Sequence, residues 1–115
     1  MTVKIKRIYE EPAESDGKRI LVDGIWPRGV SKEEAKLDEW LKEIAPSKDL
    51  RQWFVHDPDK FDPFKKKYKE ELKNNEEQKE AYSDLQKLIQ KHDVTLLTAT
   101  KDEKYNHAQV LKSLL

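Results

Sequence analysis

The sequence predicts an α/β fold in which a small, mainly parallel sheet is flanked by helices, and three observations carry that expectation. RILVD at 19–23 and VTLLTAT at 94–100 are continuous runs rich in β-branched residues, as in strands buried on both faces. About 70 residues separate them, and those residues show helical periodicity. A hairpin cannot span that distance, whereas a helical crossover joins parallel strands.

The chain opens with VKIKRI at 3–8, where Val3, Ile5 and Ile8 interleave with Lys4, Lys6 and Arg7 as in a partly covered strand. Pro12 and Asp16-Gly17 make the next stretch a loop before the 19–23 strand. From Ser31 the period changes. Ser31 and Glu34 have capping-box spacing, and Leu37, Trp40, Leu41 and Ile44 predict one helix running until Pro46 stops it. Ser47 caps a short helix carrying Leu50, Trp53 and Phe54, which His56-Asp57-Pro58 ends. Asp62-Pro63 reads as a cap followed by a first-turn proline, and Phe61, Phe64, Tyr68 and Leu72 trace one apolar stripe. Asn74-Asn75 breaks that helix. Another carries Tyr82, Leu85, Leu88 and Ile89 and ends near His92-Asp93. After the 94–100 strand, a last helix from Asn106 to Leu114 buries Ala108, Leu111 and either Leu114 or Leu115. With 115 residues and no internal repeat, residues 1–115 are expected to form one domain.

Composition excludes several functional classes. No Cys is present, so disulfides, thiolate metal sites and Cys nucleophiles are ruled out, and a reducing cytoplasm is the expected compartment. MTVKIKRIYEE lacks the apolar core of a signal peptide, and no apolar run approaches the roughly 20 residues of a membrane helix. Charged residues make up 40% of the chain, but 23 Lys+Arg balance 23 Asp+Glu. That balance argues against nucleic-acid binding by bulk counterion release. The basic stretch KKKYKEELK at 65–73 reads as the solvated face of one helix. GxGxxG, P-loop, GxSxG and HExxH motifs are all absent, so no motif names a cofactor. Nor does the chain carry a signature of oligomeric state.

In open parallel sheets, ligands bind beyond the carboxyl ends of the strands. Parallel 19–23 and 94–100 strands would bring Asp23, Trp26 and Arg28 together with Asp102, Asn106 and His107 at one edge. In WPRG at 26–29, Pro27 holds Trp26 extended and Gly29 frees the backbone, so Arg28 projects from a stiff turn as a planar fork suited to phosphate or carboxylate. The structural alternative pairs Arg28 with Asp23 or Asp102 and puts Trp26 in the core. Asn106 is placed to cap the last helix, leaving His107 in its first turn as an acid, base or hydrogen-bond donor; a half-buried His bonded to backbone is the plainer reading. His56 enters as a ligand-binding candidate because it follows Trp53 and Phe54. A metal site from His56, His107 and Asp102 is set aside, because no two of them have metal-motif spacing.

The runs KRIY, RILVDGIWPRGVSKEEAKLDEWLKEIAPS, LRQWFVHDP and VTLLTATKDEKYNHAQVLKSLL resemble, in order and over nearly the whole chain, the YeaO-like branch of the domain of unknown function 488 family. The resemblance implies a small bacterial or archaeal cytosolic protein with a Rossmann-like layered fold and supplies no activity. It carries the family's polar signature onto Arg19, Asp23, Trp26, Pro27, Arg28, Gly29, His56, Asp57, Asp102, Asn106 and His107. Two departures stand out: Gly24 where the family has a basic residue, and Val55 in FVHDP where FGHDP is usual.

Two functional readings follow. The first is a site for a small anionic or nucleotide-like ligand, read as an enzyme in which Arg28 clamps the anion, His107 is acid or base, and Asp23 or Asp102 orients them; Arg19, Trp26, His56 and Asn106 complete the contacts. The second is a non-catalytic regulatory or protein-interaction module, using the same pocket or an apolar patch made by Trp40, Trp53 and Phe54. Nucleic-acid binding ranks third.

Overall fold

The computed structural model describes residues 2–55, 57–102 and 104–115. Four strands form one sheet: β1 (Val3–Arg7), β2 (Lys18–Leu21), β3 (Glu39–Trp40) and β4 (Val94–Thr98). They lie in the order β1-β4-β2-β3, and every pairing is parallel. β4 is flanked on both sides and all five of its residues are buried, which explains its unbroken apolar run. Thr95, its polar member at the buried amino end, donates its hydroxyl to the Asp16 carbonyl at 2.7 Å.

Side-chain alternation divides the strands between two cores. Ile20, Val22, Val94 and Leu96 join the larger, with Phe64, Tyr68, Leu72, Leu85, Ala108 and Leu111 from the helices. Those side chains come from α3 (Phe61–Asn74), α4 (Glu76–Lys91) and α5 (His107–Leu114). Leu21 and Leu97 face the other way, onto a smaller core with Ile8 and Ala35. Ala35 belongs to α1 (Lys32–Ala35), the single turn on that face. Near it Arg19 is buried, its guanidinium forking onto the Ala35 carbonyl at 3.1 and 2.9 Å and reaching Asp16 at 2.6 Å.

One expected element is overturned. The helix predicted from Ser31 to Pro46 lasts one turn, despite the capping box that Ser31 and Glu34 do form. Lys36 turns left-handed at φ 47°, and the chain then runs extended as β3 and closes in a 3-10 turn over Lys42–Ile44. The reason is that its apolar residues serve two cores. Leu37 and Trp40 pack on the smaller core while Leu41 and Ile44 enter the larger, and a helix would have put all four on one side. The Asp38 carboxylate accepts the Arg19 N–H at 2.8 Å, which fixes this edge in place of a longer strand.

The remaining boundaries follow local chemistry. The Ser47 and Asn75 side chains cap α2 (Lys48–Phe54) and α4 by accepting the Leu50 and Gln78 N–H groups. α3 begins one residue before the expected Asp62-Pro63 start; Pro63 then lies in its first turn, where a missing N–H leaves no helical bond unmade. Among the described residues, no helix is long and apolar enough to cross a membrane.

Candidate functional site

A cavity of about 490 Å³ opens at the carboxyl ends of β2 and β4. The segment after β2 contributes Asp23 through Arg28 and the end of β4 contributes Thr98, Ala99 and Thr100; Arg51 and Phe54 come from α2, Phe64 from α3 and His107 from α5. Its walls are largely apolar.

Asp23 forms part of the floor. Its carboxylate accepts the Thr98 hydroxyl at 2.7 Å and the Ala99 N–H at 2.8 Å, and lies 3.1 Å from His107 Nε2. The same Nε2 is 3.1 Å from the Val22 carbonyl. Carbonyl and carboxylate oxygens only accept, so Nε2 carries a proton shared between them. Burial favours the neutral acid at Asp23, but the bonds from His107, Ala99 and Thr98 outweigh it and hold the carboxyl below its usual range. The Asp23 carbonyl in turn accepts the Trp40 indole N–H at 2.7 Å.

The WPRG turn is tied at both ends. The Trp26 indole donates to the Val30 carbonyl at 2.8 Å and meets Trp40 edge-on at 5.3 Å, so that its ring both packs on the smaller core and lines the cavity. Tyr9 donates its hydroxyl to the Arg28 carbonyl at 3.1 Å, and Gly29 takes φ 79°. Fixed backbone on both sides leaves the Arg28 side chain exposed at the rim. Among the described residues no carboxylate forms an ion pair with it.

The cavity gathers Asp23, Trp26, Arg28 and His107 of the sequence candidates. Asn106 is buried beside it as the cap of α5, accepting the Gln109 N–H at 2.9 Å and donating to the Asp102 carbonyl at 2.7 Å. Asp102 organises the preceding turn, its carboxylate accepting the Lys104 and Tyr105 N–H groups at 2.9 Å. Arg19 lies in the buried pair under α1, outside the cavity lining. His56 falls outside the described residues. Among those described, no group of three or more His, Asp or Glu side chains could hold a metal ion. Phe54 is buried and Trp40 partly buried, while Trp53 is exposed with the Lys60 and Lys67 ammonium groups 5.3 and 5.2 Å from its ring centroid.

Arg51 is the residue that sequence reasoning missed. It reaches the cavity because α2 is fixed at its start: Ser47 donates N–H and hydroxyl to Glu71 at 2.9 and 2.5 Å, and Gln78 bridges Glu71 and the Ala45 carbonyl. A β-carbon at Gly24 would lie 4.0 Å from the Arg51 guanidinium, so the space that Gly24 leaves is bordered by a basic group from another element. No local pattern around Arg51 signals this; only the packing of α2 does.

A family profile described as the Inactive DUF488-N3 subclade matches residues 2–115. The chain is 42% identical over 113 residues to an uncharacterized protein of Mycobacterium tuberculosis strain H37Rv, covering 98% of this chain and 92% of the relative. It is 41% identical over 115 residues to the uncharacterized protein YeaO of Escherichia coli K12, covering 100% and 97% respectively. No solved structure matches.

Proposed function

Because the chain belongs to the DUF488 family, within its Inactive DUF488-N3 subclade, we propose that it is a non-catalytic module whose cavity binds a small anionic ligand. One observation carries this reading: Arg28 and Arg51, both exposed, border a largely apolar cavity and form no ion pair among the described residues, while Asp23 and His107 Nε2 are bonded into the fold. A guanidinium offers a planar fork of donors for carboxylate or phosphate.

The catalytic reading assigns His107 as acid or base, with Asp23 and Asp102 as its partners. The Nε2 proton is held by Val22 and Asp23, so this nitrogen serves as an anchor and an acid–base role would fall to Nδ1. His107 then serves to join α5 to the end of β2, and Asp23 to join β2 to β4.

Thermal denaturation of the wild type with a panel of organic anions tests the proposal. A ligand at a hundredfold excess over its Kd should add about 2.7 kcal/mol of stability. Arg28→Ala and Arg51→Ala should remain folded and lose the shift, and the ligand should be recovered chemically unchanged. Turnover that disappears in a folded His107→Gln variant would establish an enzyme instead.

A further inference from the structure

Resting on the anion-binding reading, we infer that the ligand is a monocarboxylate with an aromatic or branched apolar body and not a nucleotide. Charge gives the first argument. Arg28 and Arg51 bring two positive charges to the cavity and Asp23 one negative, leaving one net positive charge from these three groups. A monoanion neutralises that charge, whereas a phosphate dianion would place excess negative charge near Asp23.

The second argument is how the other polar groups are used. A nucleobase is read by donors and acceptors along its edge, and these must be unengaged before it arrives. Asp23 already accepts from Thr98, Ala99 and His107. Thr98 donates to Asp23 and accepts the Thr100 N–H at 3.3 Å; the Thr100 carbonyl accepts Arg7 Nε at 3.0 Å. The Tyr9 hydroxyl is donated to the Arg28 carbonyl. Besides the arginines, the Thr100 hydroxyl and His107 Nδ1, the cavity presents mainly apolar surface, including Ile25, which is 67% exposed. A volume of about 490 Å³ admits one or two rings beside the anionic head.

The test compares phenylacetate, indole-3-acetate, phenyl phosphate, AMP and inorganic phosphate by calorimetry and by Trp fluorescence, since Trp26 lines the cavity. The aryl carboxylates are expected to bind most tightly. Arg28→Ala should weaken them about 10- to 100-fold, and Ile25→Ser should weaken them while leaving inorganic phosphate unchanged. Tighter binding of AMP or phenyl phosphate, lost in Arg28→Ala, would overturn the monocarboxylate assignment and keep the anion site. Equal binding of inorganic phosphate and the aryl carboxylates would remove the role of the apolar walls. Silence from every probe overturns the assignment together with the reading on which it rests.

Discussion

At Val55 the chain holds a β-branched residue at φ 43° and ψ 36°, the left-handed conformation that closes α2. Such a residue pays about 1–2 kcal/mol there, and glycine recovers that at an entropic cost of about 0.5–1 kcal/mol. Val55→Gly should therefore raise stability by up to about 1 kcal/mol, or roughly 4 °C in melting midpoint. An unchanged or lower midpoint in that variant would show that other contacts compensate the backbone. The sequence marks Val55 as a departure but not its cost, which depends on a backbone angle. Residue-scale chemistry was legible where it is local, as at the Asn106 and Ser47 caps and the Gly29 turn. Arg51 was not, because its place in the cavity depends on Ser47 meeting Glu71, 24 residues away.

The same division between local and distant causes governs the elements. Helices with one buried face, such as α3 and α4, follow from their periodicity. The 31–46 segment misleads because residues at helical spacing serve two cores, and only the sheet between those cores reveals it. The contact of β2 with α1 and the 3-10 turn over Glu14–Asp16 relies on an ion pair buried on both sides: Asp16 is 2% exposed and Arg19 4%. Removing one member leaves a charge without its partner. Asp16→Ala is expected to cost about 3–5 kcal/mol, and Asp16→Ala with Arg19→Met less than the single change. A urea double-mutant cycle measures the coupling; additive effects would mean that the pair does not act as a unit.

Across the whole molecule, a radius of gyration of 13.4 Å matches the roughly 13 Å expected of a compact chain this long. Its stability should be sensitive to acid. Asp16 and Asp23 are both held below the usual carboxylate value despite their burial, by the Ala13 N–H, Lys6 and Arg19 at the first and by His107, Ala99 and Thr98 at the second. A depressed folded-state value gives stability that is fully present above the unfolded value near 3.9 and is lost as pH falls through the folded one. Asp23→Asn should thus be less stable than the wild type at neutral pH, with the gap closing below about pH 4. Urea midpoints across pH check this, and a gap independent of pH would refute it. The parallel sheet itself was legible from the distance between two apolar runs, but the place of β4 between β1 and β2 was not. That strand order also governs assembly during synthesis. β1 has no strand to pair with, and β2 only the two residues of β3, until β4 is made. At about 5–20 residues per second, the roughly 80 residues from β2 to the end of β4 take on the order of 4–16 s. For that interval the nascent chain carries two strands with open edges, so the synthesis of β4 decides whether they close into a sheet or meet a neighbouring chain.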